Sequence, residues 1–245
     1  MGIQRYFIEI AYKGTAYCGF QIQDTGKTIQ SSITEALQTI FRIPFELTGS
    51  SRTDAGVHAA QNFFHVDTTV EISTQHIYNL NAVLPKDIVI KQIFPVSPTA
   101  HCRFDAISRT YQYTITSSKA PFLIETAWLY PYKLNLEALN EGASMVLAHA
   151  DFTSFSKRNT QVKTFICQIQ HSKWVERDGL LVYEVTSNRF LRGMIRGLVA
   201  TMLKLGTGSI TAANFQSILD AKDCSKADFS APAHGLCLME VAFPS

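Results

Sequence analysis

Apolar and polar residues alternate through residues 5–12, with Phe7 and Glu9 on one side and Tyr6, Ile8 and Ile10 on the other. A two-residue period predicts a β-strand. Residues 24–27 are small and polar and predict a loop. Ile29, Ile33, Ala36, Leu37, Ile40 and Phe41 then recur at helical spacing, with Thr28 placed as the cap. Pro44 bars continuation of that helix. Two β-prone runs follow, 45–48 and 63–66, separated by a stretch rich in small residues. Residues 74–83 predict a second helix and 88–94 a further strand. Pro95 and Pro98 flank Val96 and Ser97 and mark the best candidate for a domain join.

The pattern then begins again. Residues 109–116 predict a strand, with Tyr111, Tyr113 and Ile115 on one face. Residues 136–148 predict a helix behind Asn135. Two β-prone runs, 163–176 and 180–187, are joined by Arg177, Asp178 and Gly179, and Asp-Gly is a hairpin signal. Residues 190–205 predict an amphipathic helix ended by Gly206. A short helix at 212–221 and a strand at 236–243 complete the pattern. Each half mixes antiparallel strands with helices, which places the chain in the α+β class with helices over one face of each sheet. The expected division is an N-terminal half, 1–105, and a C-terminal half, 106–245; no internal sequence repeat is evident.

Composition changes this picture little. The 245 residues are 46% hydrophobic and 17% charged, an ordinary globular balance with room for a sizeable core. No apolar run is long enough to cross a bilayer, and the first residues form a strand pattern with no signal-peptide layout. Five scattered cysteines without a C-x-x-C pair predict reduced thiols and a cytoplasmic setting. The seven histidines show no metal spacing. Net charge is +2, which by itself does not announce a nucleic-acid partner. If RNA binds, positive charge must be concentrated locally, with Lys157, Arg158, Arg189, Arg192 and Arg196 as candidates; for each one taken alone a solvated surface role is the plainer reading.

The richest chemistry lies in residues 52–59, where a guanidinium (Arg52), a carboxylate (Asp54) and an imidazole (His58) share one short loop with Gly56. Read locally, this is a turn in which Asp54 caps its own backbone. The string from Ser51 to Ala59 also resembles the signature loop of the TruA family of tRNA pseudouridine synthases. It has company. Tyr12, Gly14, Tyr17, Gly19, Phe20 and Gln21 resemble the family's opening Y-x-G-x-x-Y-x-G-W-Q, with Phe20 in the Trp place. Thr28-Ile29-Gln30, Asn81 to Pro85 with Asp87-Ile88, and His101 to Phe104, where Cys102 replaces Ala, follow in family order. So do Arg109 to Tyr113, Asp151 to Phe155, Phe190 to Arg196 and Pro232 to Leu236, with Gly193 in place of a bulkier residue.

The resemblance implies two similar α/β halves, with mainly antiparallel sheets joined across a central RNA-binding cleft. It implies isomerisation of uridine to pseudouridine in the anticodon stem-loop of tRNA, by a homodimer that needs no cofactor and no metal. The reaction requires a carboxylate, as nucleophile or base, beside an extruded nucleotide. The resemblance assigns that role to Asp54. It assigns Tyr111 to stacking on the target uracil and Leu236 to the pocket wall; Arg196, at a family-matching position, is read as the cationic partner an ionised Asp54 requires, and Arg52, two residues before Asp54, as meeting a phosphate or filling the gap left by the flipped base. On the predicted helix Arg192 stands one turn before Arg196. His58 is expected to tie the loop down rather than to react. The glycine-rich run 204–209 lacks G-K-[ST], so it is not expected to hold phosphate. Two other readings remain: a catalytically silent RNA-binding protein of the same fold, and a serine hydrolase using Ser50 or Ser51 with His58, which lacks a G-x-S-x-G elbow.

Overall fold

The computed structural model describes residues 2–24, 26–158 and 162–244; Thr25, within the predicted loop 24–27, lies outside the described residues. The chain forms two compact units, one of residues 1–107 with 238–245 and the other of residues 108–237. The first break falls after Ile107, two residues past the expected boundary at 105 and beyond the candidate join at Pro95–Pro98. The last eight residues return to the first unit, so the expected C-terminal half, 106–245, is not one compact body.

In the first unit, β1 (Gln4–Tyr12) is followed by α1 (Ile29–Phe41), β2 (Thr48–Gly49), β3 (His58–Thr68), α2 (Gln75–Val83) and β4 (Ile88–Val96). β1 pairs antiparallel with both β3 and β4, and β2 adds to β3. Thr28 caps α1 by a reciprocal arrangement, its hydroxyl accepting from Ser31 N–H while Ser31 Oγ accepts from Thr28 N–H, both at 3.1 Å. The helix ends at Arg42, which takes a left-handed conformation two residues before Pro44.

β1 departs from simple alternation, because both its faces are covered. Ile8 and Ile10 are fully buried, but Phe7 and Glu9 on the opposite face are buried too. Phe7 lies against Phe63, Phe94 and Phe243, with ring centroids 5.4–6.4 Å apart. Glu9 is neutralised there by Lys91 at 2.9 Å and accepts from Gln61 at 3.2 Å. β4 runs through Pro95 to Val96, beyond the predicted end. The β-prone run 45–48 is strand only from Thr48, with Phe45 and Leu47 buried in extended connection.

The second unit contains β5 (Ser108–Thr116), β6 (Trp128–Leu129), α3 (Leu136–Ala148), β7 (Ile169–Arg177), β8 (Leu180–Ser187), α4 (Met194–Gly206) and α5 (Ala212–Asp220). β8 pairs antiparallel with β5 and β7, and β6 runs parallel to β5. Asp178 and Gly179, with φ of 53° and 74°, make the tight turn that Asp-Gly predicts. Asn135 caps α3 through Ala138 N–H at 3.1 Å. Asn140 then ties α3 to β7 by exchanging two hydrogen bonds with the Trp174 backbone, at 2.9 and 3.0 Å. Tyr111, Tyr113 and Ile115 share one buried face of β5.

Two predicted elements are shorter than expected. The run 163–176 becomes strand only at Ile169. The helix predicted from Phe190 starts at Met194, because Gly193 at its N-cap is in the left-handed region (φ 73°). α4 is also not half-exposed. It is buried on nearly all sides, with Arg196 and Lys204 its positions outside the buried set. The final strand, β9 (Leu236–Ala242), begins in the second unit and lies next to β3 in the first. There Val241 N–H donates to Gln61 at 2.9 Å, and Ile107 N–H donates to the Ala242 carbonyl at 2.9 Å.

Candidate active site

The signature loop leaves β2 at Gly49 and enters β3 at His58. Its backbone is held from several sides. Ser50 N–H donates to the Phe63 carbonyl (2.8 Å), and Asn62 bonds both the amide and the carbonyl of Ser51 (3.3 and 2.8 Å). The Thr53 carbonyl accepts from Phe20 N–H (3.1 Å), and its hydroxyl bonds the buried Tyr12 hydroxyl (2.8 Å). His58 Nδ1 accepts from Gly14 N–H at 2.9 Å. Gly14 packs so closely on the Val57 carbonyl that a Cβ would collide with it. The opening Y-x-G-x-x-Y-x-G-F motif is therefore the cradle of the Asp loop. That is the physical link between two motifs about 40 positions apart in the chain.

Asp54 sits at the apex. Its carbonyl accepts from Val57 N–H at 3.1 Å, closing a turn in which Gly56 takes φ 80°. Thr53 before it and Val57 at the far end of the turn are buried, Asp54 is half-buried, and Arg52 and Ala55 are exposed. The backbone thus supplies the turn of the plain local reading, and it does so while presenting the carboxylate-bearing residue from a braced loop. His58 is buried with Nδ1 engaged by the backbone, in keeping with an anchoring role. The Ser50 hydroxyl is buried and makes no hydrogen bond. Neither feature suits a serine nucleophile activated by His58.

Tyr111, Arg196 and Leu236 belong to the second unit. Tyr111 is 7% exposed and meets Phe190 edge to face at 5.2 Å. Arg196 projects from the first turn of α4, where its Nε donates to the Ala231 carbonyl at 2.6 Å. That bond fixes the guanidinium by one edge. Its charge opposes the strong upward push that burial gives the Tyr113 hydroxyl. Tyr113 itself donates to the Pro232 carbonyl at 2.8 Å and fills the space beside Gly235, so the P-A-H-G-L motif is packed on β5. Leu236 is buried at the start of β9.

Arg192 is not on the helix with Arg196. It is exposed and precedes Gly193, so the two guanidinia do not share a helical face. The three departures from the family pattern have local explanations. Phe20 stacks on Phe64 at 4.5 Å with its ring buried. Cys102 is fully buried, 3.2 Å from His65 Nδ1 and 3.2 Å from the Thr48 carbonyl. Gly193 gives the left-handed start of α4. Sequence reading missed Tyr12 and Asn62 as loop-positioning residues. The available signal was their polarity on otherwise apolar strands, where a buried polar atom must find a partner.

A family model described as tRNA pseudouridine synthase matches residues 9–105 and 145–244. The tRNA pseudouridine synthase A of Parabacteroides distasonis is 44% identical over 244 residues, covering 99% of this chain and 97% of its own. That of Porphyromonas gingivalis is 44% identical over 248 residues, covering 98% of each. That of Staphylococcus aureus strain MRSA252 is 35% identical over 240 residues, covering 97% and 91%. The chain belongs to the tRNA pseudouridine synthase family. Its similarity within that family extends over nearly the full length of proteins named tRNA pseudouridine synthase A.

Proposed function

We propose that this protein is an isomerase that converts uridine to pseudouridine in the anticodon stem-loop of tRNA, with Asp54 as its essential carboxylate. Family membership supports the reaction. The observation that carries the assignment of Asp54 is the loop itself, braced at Ser51, Thr53, Val57 and His58 around a half-buried carboxylate. Pre-organisation of that kind holds a reacting group in place before substrate arrives.

The reaction breaks the bond from uracil N1 to ribose C1′ and forms one from C5 to C1′. The proton lost from C5 is balanced by one gained at N1, so no oxidant and no phosphate energy are consumed. The target nucleotide must be turned out of its stack to reach the carboxylate. Three routes use one carboxylate: attack on C1′, attack on C6, or removal of the C2′ proton through a glycal. Tyr111 is proposed to stack on the uracil, Leu236 to line its pocket, and Arg52 to meet a phosphate or fill the gap left by the base. A homodimer, with one tRNA arm lying across both protomers, is proposed from the resemblance to the family. A cytoplasmic setting is proposed from the five free cysteines.

The test is pseudouridine mapping on unmodified tRNA after incubation with wild type and with Asp54→Asn. Product in the anticodon arm with wild type alone supports the reading. Product from both variants assigns the chemistry to another carboxylate. Bound tRNA with no product from either supports a silent RNA-binding protein instead. Sedimentation of the free protein tests the dimer.

A further inference from the structure

Charge is unevenly shared between the two units. Residues 108–237 hold 14 of the 22 Lys and Arg but 10 of the 20 Asp and Glu, a formal +4; the remaining residues carry −2. Much of the excess gathers at one place in the second unit. A cavity of about 290 Å³ is lined by Lys157, Arg158 and Lys222, with Asp223, Cys224 and Phe165.

The cavity is built by specific contacts. Asp223 N–H donates to the buried Ser154 hydroxyl at 3.2 Å, which fixes the turn carrying Lys222. Lys222 itself takes φ 51°, a conformation that costs a non-glycine residue about 1 kcal/mol or more. On the other side, Lys157 N–H donates to the Arg192 carbonyl at 3.0 Å. The Lys157 side chain runs across Gly193, its Cγ, Cδ and Cε within 3.0–3.2 Å of where a Cβ would stand. The missing side chain at Gly193 is thus the space that Lys157 occupies. Arg158 is exposed at the rim, where Cys224 and then the Asp223 carboxylate favour its charged form.

The lining carboxylate Asp223 and the neighbouring Asp151 are already engaged. Asp151 accepts from Thr153 at 2.6 Å and pairs with Lys222 at 3.0 Å. Asp223 accepts from the Ser225 amide and hydroxyl at 2.9 and 2.8 Å. With Lys222 paired to Asp151, the lining cations Lys157 and Arg158 face one carboxylate, Asp223, whose oxygens already accept from Ser225. The volume lies at the small end of the range of pockets that enclose a whole small molecule. An anionic group carried on a larger molecule fits both the size and the charge.

We infer that this cavity binds a phosphate of the RNA backbone, using Lys157 and Arg158. The inference rests on the tRNA reading above but concerns a separate property, the salt-dependent part of affinity. Each phosphate neutralised by a cation steepens the fall of log K with log salt by about 0.9 on B-form DNA and about 0.7 on single strands, so a value near these is expected on tRNA.

The experiment is filter binding of an unmodified tRNA transcript across a series of NaCl concentrations. Wild type is compared with Arg158→Ala, Lys157→Ala and, as a charge-matched control in the same unit, the exposed Lys119→Ala. Melting curves confirm that each variant is folded. The expected result is weaker binding and a slope reduced by about one for each cavity variant, with Lys119→Ala unchanged. Equal slopes in all four proteins overturn the site, as does an equal loss with Lys119→Ala. Displacement of tRNA by millimolar inorganic phosphate at constant ionic strength also overturns it, in favour of a free-phosphate site. Pseudouridine formation by the same wild-type sample is read separately, so failure of the activity and failure of this site are distinguishable.

Discussion

Thr53 shows how much of the site depends on single atoms. Its carbonyl and hydroxyl are gripped by Phe20 and Tyr12, so the adjacent Asp54 has little freedom to move. At this scale Arg196 is the residue with a sharp test. Its Nε is held by Ala231, so if the guanidinium serves an ionised Asp54, Arg196→Ala lowers turnover by about 100-fold, as lost charge stabilisation does elsewhere, with a much smaller change in tRNA affinity. Single-turnover rates and binding isotherms read the two separately, and an equal loss in both reassigns Arg196 to phosphate binding.

His65 makes a different prediction. Burial, and then the charges of Arg5 and His101, lower its pKa from 6.5 to about 4. The folded protein keeps His65 neutral where the unfolded chain protonates it. Its contribution to stability is therefore complete above pH 6.5 and is lost as pH falls toward 4. Melting temperature should drop across that window, and His65→Gln should flatten the drop. The depressed carboxylates, such as Asp67 and Asp151, act below their ordinary value of 3.8 and leave the window clear.

At the scale of elements, local chemistry and helix or strand boundaries agree where a cap or turn residue is present. Thr28, Asn135 and Asp178-Gly179 each stand where the structure uses them. Thr28→Ala should cost about 1 kcal/mol by denaturant melt, the usual worth of such a cap. Boundaries fail where tertiary contacts override the pattern. Residues 190–193 carry the apolar spacing of a helix, but Leu191 is buried in a turn and Gly193 starts α4 in a left-handed conformation. β1 alternates in sequence yet is covered on both faces, since Phe243 arrives from the far end of the chain.

Phe243 also matters at the scale of the whole molecule. Residues 238–245 complete the first unit, packing Phe243 at 5.1 Å from Phe63 and 5.4 Å from Phe7. Removing them uncovers that cluster and an edge of β3, so the truncated chain should aggregate or lose its cooperative melt, as judged by size-exclusion chromatography and calorimetry. The uneven charge of the two units belongs to this scale as well. A net +2 understates the positive character of residues 108–237.

The sequence by itself determined the α+β class, most helices and strands, the Asp54 loop and the family, because periodicity, caps and contiguous motifs are local properties of the chain. The break between units was legible to within two residues, but the return of residues 238–245 to the first unit was not, because it depends on which strands pair. Nor was the role of the opening motif, since Tyr12, Gly14 and Phe20 act on residues about 40 positions away through hydrogen bonds that no local pattern encodes. Only the tertiary structure placed Lys157 over Gly193 and gathered Lys222 and Arg158 around one cavity, because close approach of distant backbone is decided by packing and not by spacing.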